Sequence, residues 1–87
     1  MKKYFNKCAV VLVTTGREKG EVFIIYKLDD NYAYLINGES RKIENPKKKN
    51  LKHLHLLCKS ELTGLDINNL NDALTMKFIN EYNKSRR

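Results

Sequence analysis

Eighty-seven residues suffice for one domain and are too few for two, so every feature of the chain shares one small core, burying roughly 60 to 65% of the unfolded surface. Seventeen Lys and Arg against ten Asp and Glu leave a net charge of +7, which points to an acidic partner: nucleic acid, an anionic membrane surface or an acidic protein. No apolar run approaches the roughly 20 residues needed to span a bilayer, which argues against membrane anchoring.

The chain opens on Met1-Lys-Lys-Tyr-Phe-Asn-Lys7, which starts like a signal peptide but has no sustained apolar region before Thr14. A cytoplasmic protein is therefore expected, with Tyr4 or Phe5 packing one aromatic ring onto the domain. Cys8 and Cys58 form no CxxC pair, and in a reducing compartment both are expected as free thiols behaving as small apolar residues.

Cys8 to Val13 is nearly continuously apolar, as a strand covered on both faces should be. It leads into Thr15 to Gly20, where Gly16 and Gly20 bracket a chain reversal that leaves Arg17, Glu18 and Lys19 toward solvent. Val22 to Leu28 is the returning strand of this hairpin. Asp29-Asp30-Asn31 favours a turn through short polar side chains that bond the local backbone. Tyr32 to Ile36 is a third strand, and Asn37-Gly38 is a strong short-hairpin signal that makes Glu39 to Ile43 the fourth. Pro46 ends that strand, Pro46 to Asn50 is a basic connection, and Leu51 to Leu57 is the fifth strand.

Gly64 marks a loop. From Asn68 onward Leu70, Leu74, Phe78 and Tyr82 recur every four residues, one face of an amphipathic helix over about 69–84. Asn68 or Asn69 suits its N-cap, Asp72 the positive end of its dipole, and Lys84, Arg86 and Arg87 the negative end. A meander and then one helix predict a mainly β domain: a small five-stranded barrel over about 8–58 with the helix packed on it.

Neither a nucleophile-base-acid set nor a GxxxxGK[ST] phosphate loop occurs in the sequence, which argues against an enzyme. His53 and His55 would share a face of a strand and, with Cys58, are the one set resembling metal ligands. No recognised ligand spacing accompanies them, so neither metal nor cofactor is expected. The basic run carries more weight: Arg41, Lys42, Lys47, Lys48, Lys49, Lys52 and Lys59 fall within nineteen residues, opposed only by Glu44. Such density repels itself unless a polyanion relieves it, although a solvated lysine face is the ordinary alternative. Tyr26, Tyr32 and Tyr34 could stack bases, although tyrosine in a strand more often packs half-buried. Glu18 and Glu21 would weaken electrostatic binding at the hairpin tip.

Thr14-Thr-Gly-Arg-Glu-Lys-Gly-Glu-Val-Phe-Ile-Ile25 resembles the KOW motif of ribosomal and transcription-associated RNA-binding proteins. Asn37 to Leu54, with its Arg-Lys-Ile and Pro-Lys-Lys-Lys-Asn-Leu-Lys-His-Leu runs, resembles the continuation in small large-subunit ribosomal proteins of the archaeal and eukaryotic type. The likeness covers roughly residues 8–57. It implies an SH3-like barrel that contacts structured RNA, such as ribosomal RNA, and neighbouring ribosomal proteins. The implied RNA-binding residues are Gly16, Arg17, Lys19 and Gly20 in the loop and Arg41, Lys42, Lys47, Lys48, Lys49, Lys52 and His53 in the basic run. One departure is Phe23, where many KOW motifs have a third glycine. An SH3-like adaptor that captures proteins is the alternative, and DNA binding a weaker one. The RNA reading requires the barrel to bring Arg17 and Lys19 to the same side as Lys47 to Lys52.

Overall fold

A computed structural model describes residues 5–85. Five strands form one antiparallel sheet: β1 (Val10–Val13), β2 (Val22–Asp29), β3 (Tyr32–Ile36), β4 (Lys47–Asn50) and β5 (Leu54–Cys58), in the order β4-β3-β2-β1-β5. A one-turn helix α1 (Ser60–Thr63) and the longer α2 (Asp72–Ser85) come after the sheet. No helix among the described residues is long and apolar enough to cross a membrane.

The sheet is curled but open, and among the described residues no ladder joins β4 to β5. The 3-10 turn Leu51–His53 links the two edge strands, so their ends, Asn50 and Leu54, are at most about 14 Å apart. A flat five-stranded sheet would hold its edges about 19 Å apart. Curling is assisted by register shifts at Val10/Val11 between β1 and β5 and at Tyr26 between β2 and β3, because a bulge bends and twists its strand. The link is held at both ends: the Leu51 amide donates to the Asn31 carbonyl (2.8 Å), and the Thr14 amide and hydroxyl both donate to the His53 carbonyl (2.9 Å each).

The concave face holds Phe5, Ala9, Val11, Val13, Phe23, Ile25, Ala33, Leu35 and Leu54. Phe5 is thus the lead-in aromatic that packs on the domain, while Tyr4 lies outside the described residues. The convex face holds Ile24 and Ile36, which α2 covers with Ile79 and Phe78. Burial on both faces explains why Val22 to Ile25 is unbroken apolar sequence.

Three expectations need correction. Glu39 to Ile43 is not a strand. The Asn37 carboxamide accepts the Glu39 and Arg41 amides (3.0 and 2.9 Å) and its backbone amide donates to the Arg41 carbonyl, closing a compact loop in place of a two-residue hairpin. The fourth strand comes after Pro46, in the lysine run itself. Next, Leu51 to His53 is not extended: Asn50 caps a 3-10 turn there, so His53 and His55 do not share a strand face. Third, the α2 cap is Asn71, whose side chain accepts the Leu74 amide (2.8 Å), and not Asn68 or Asn69.

The helix face is also rotated from the expected stripe. Leu74 is 46% exposed, whereas Thr75 and Ile79 are buried. Thr75 tolerates burial because its hydroxyl donates to the Asn71 carbonyl (2.8 Å). Asp72 sits in the first turn as expected and accepts the Ile43 amide (2.9 Å), fastening the loop between β3 and β4 to the helix. Arg86 and Arg87 lie outside the described residues.

Candidate nucleic-acid interface

The β1–β2 loop is closed by backbone bonds from Lys19 to Gly16 and from Glu21 to Glu18, and the Gly20 amide ties it to Val13 (2.8 Å). Gly16 has φ +82°, and a Cβ there would stand 2.9 Å from the Lys49 ammonium. Glycine therefore serves both the left-handed backbone and the close approach of a cation. Arg17 and Lys19 project into solvent at the tip.

Glu18 lies between the loop and the basic run. Its carboxylate is 3.8 Å from Lys49, 3.9 Å from Lys47 and 4.0 Å from Arg41, with side-chain exposure of only 16%. The loop thus rests against three of the basic residues the sequence singles out.

The register explains how lysines reach that place. Residues directly opposite in an antiparallel pair share a face, and Lys47 and Lys49 lie opposite Leu35 and Ala33, both core residues. Their aliphatic stems follow the concave face and the ammoniums end near Glu18. Inward-pointing charges of this kind also protect an edge strand from pairing with another chain.

Lys48, between them, points to the opposite face. It lies opposite Tyr34, which lies opposite Lys27, and the Lys48 ammonium stands 4.6 Å from the Tyr32 ring centroid and 6.0 Å from that of Tyr34. The Lys27 ammonium is 5.5 Å from the Tyr34 ring. Tyr26, at the bulge, packs instead against the cluster beneath α2.

Of the remaining sequence candidates, Lys42 and Lys52 are exposed and His53 is half-buried, its carbonyl engaged by Thr14. Two residues escaped the sequence reading. Lys27 sits outside the dense run, and the signal that finds it is strand register. Glu18 reads in sequence as a charge that weakens binding, whereas in the fold it joins the two halves.

One other concave surface fits a phosphate poorly. A groove of about 670 Å³ beside α2 is lined by Glu21, Glu39, Asn37, Asn80 and Asn83 and by no Lys or Arg. Among the described residues no group of three or more His, Cys, Asp and Glu could hold a metal ion. Burial pushes the Cys8 thiol above its ordinary range, the Asp66 charge adds to this and Lys7 opposes it, so Cys8 stays protonated and a poor nucleophile.

No protein-family model matches the chain, and no curated protein matches it in sequence.

Proposed function

We propose that this chain is a non-enzymatic RNA-binding protein of KOW type, built on an SH3-like barrel and acting in the cytoplasm on structured RNA such as ribosomal RNA. The observation that carries the reading is the seat of the β1–β2 loop on Arg41, Lys47 and Lys49, held at Glu18. It supports one composite basic pole, with Arg17 and Lys19 on the loop that rests there. The curl of the sheet and the short link between its edges support the barrel part of the reading.

Because Lys47 and Lys49 double as cover for the core, the informative substitutions are the exposed Arg17, Lys19 and Lys52. Changed singly to alanine, each should weaken RNA binding by a similar factor for every sequence. Each should also reduce the slope of log affinity against log salt by about 0.7 to 0.9 for every phosphate left without its cation. Fluorescence anisotropy titrations of wild type and variants at several salt concentrations measure this. RNA binding that is undetectable, or unaffected by salt, would sink the proposal.

Glu18→Gln should act in the opposite direction. The three ion pairs are long and partly exposed, so their loss should cost less than about 1 kcal/mol of stability. Freed of the carboxylate, Arg41, Lys47 and Lys49 should bind RNA several-fold tighter with a steeper salt dependence. A Glu18→Gln protein that binds RNA more weakly than wild type would mean that the carboxylate positions the loop more than it competes with phosphate.

A further inference from the structure

The outer row of β2, β3 and β4 is a second surface, distinct from the pole at Glu18. It presents Lys27, Tyr34 and Lys48 in direct register, with Tyr32 two residues along β3 on the same face. Tyr32 is 40% exposed, and α2 covers a different part of the sheet, around Ile24 and Ile36. Two tyrosine rings share this strand face, with the Lys48 ammonium over Tyr32 and the Lys27 ammonium over Tyr34.

We infer that this face binds an unpaired stretch of RNA, with bases stacked on Tyr32 and Tyr34 and the flanking phosphates met by Lys27 and Lys48. The inference rests on the RNA-binding reading above and names the form of RNA that this face takes. Three points favour unpaired nucleotides over duplex. Residues two apart in a strand are about 6.7 Å apart, twice the roughly 3.4 Å step of a stacked strand, so the rings match bases that have been splayed. Stacked bases in a duplex cannot offer their faces to a protein, whereas single-stranded segments can. A lysine over an exposed ring contributes less than a base stacked on the same ring. The base therefore displaces the ammonium, which is left free to turn to the phosphate. Asp29, opposite Tyr32 in the register, places a negative charge at that end of the row, so the phosphates are met at the Tyr34 position, where Lys27 and Lys48 lie.

The experiment compares an unstructured RNA of roughly ten nucleotides with an RNA duplex of similar length, by anisotropy, for wild type, Tyr32→Ala, Tyr32→Phe and Lys48→Ala. Tyr32→Ala should weaken single-strand binding about tenfold with an unchanged salt slope, and leave duplex binding within about twofold. Tyr32→Phe should retain the wild-type affinity, since it keeps the ring, and Lys48→Ala should lower the salt slope for the single strand. Near-ultraviolet and far-ultraviolet circular dichroism of Tyr32→Ala checks that the fold is intact. The inference is overturned if Tyr32→Ala leaves single-strand affinity unchanged, or weakens duplex binding equally. Wild-type binding to duplex alone would also overturn it while leaving the RNA-binding reading standing, whereas binding to neither RNA would remove both.

Discussion

Gly38→Ala should cost about 3 kcal/mol or more and release α2 from the sheet. Gly38 has φ +78°, where an L residue is penalised by about 1 to 2 kcal/mol before any contact is considered. The larger part is steric. A Cβ at this position would overlap the Asp72 carbonyl oxygen and lie 2.7 Å from the Met76 amide nitrogen and 3.0 Å from the Met76 Cβ. Two of the three obstacles are α2 backbone, which cannot rotate away as a side chain can. The helix must therefore move outward, lifting Ile79 and Phe78 from Ile24 and Ile36 and breaking the bond from the Ile43 amide to Asp72. Denaturant unfolding measures the loss, and hydrogen exchange locates it, with α2 amides losing protection ahead of β1 and β2. A cost under about 1 kcal/mol would mean that the loop and helix do not touch this closely in solution.

The packing of Gly38 on α2 also shows how far sequence patterning reaches. Asn37-Gly38 correctly marks a chain reversal after β3. The path of the chain beyond Gly38 depends on Asn37 capturing two downstream amides and on a helix more than thirty residues away, neither of which is a local signal. The first three strands were legible because Val10 to Val13, Val22 to Leu28 and Tyr32 to Ile36 carry their own apolar and β-branched pattern. β4 was not, since Lys-Lys-Lys-Asn has no such pattern and is a strand only because β3 supplies its partners. The four-residue spacing marks the helix and places Leu70 and Phe78 inward, whereas Leu74 gives way to Thr75, because a threonine that satisfies its own hydroxyl can occupy a core position that leucine spacing assigns elsewhere. At the candidate site, charge density picked out the basic run. The role of Glu18 needed the fold, since only pairing with Ala33 and Leu35 turns Lys49 and Lys47 toward the loop.

The second large effect concerns Phe23, the position at which the resemblance to the KOW motif breaks. Phe23 is fully buried, opposite Val11 in the β1–β2 ladder, and packs in the concave cluster with Phe5, Val13, Ile25, Leu35 and Leu54. Phe23→Ala should cost about 3 to 5 kcal/mol through lost burial and the cavity left behind. Phe23→Gly, which restores the residue many KOW motifs carry there, should cost a further 0.5 to 1 kcal/mol or so, because glycine in a strand interior gives up more conformational entropy. A domain of this length has a total stability of roughly 4 to 13 kcal/mol, so either variant should melt about 12 °C or more below wild type, and the less stable end of that range would not fold at all. Phe23→Leu, which keeps most of the apolar volume, should lose much less and bind RNA as wild type does, since Phe23 is fully buried and offers no surface to RNA. Thermal unfolding followed by circular dichroism, with RNA titration of whichever variants remain folded, separates the two roles. A Phe23→Gly protein as stable as wild type would mean that the glycine form of the motif is compatible with this core. A folded Phe23→Leu protein without RNA affinity would mean that the concave core and the basic pole are coupled, through the strands that carry Lys47 and Lys49 to Glu18.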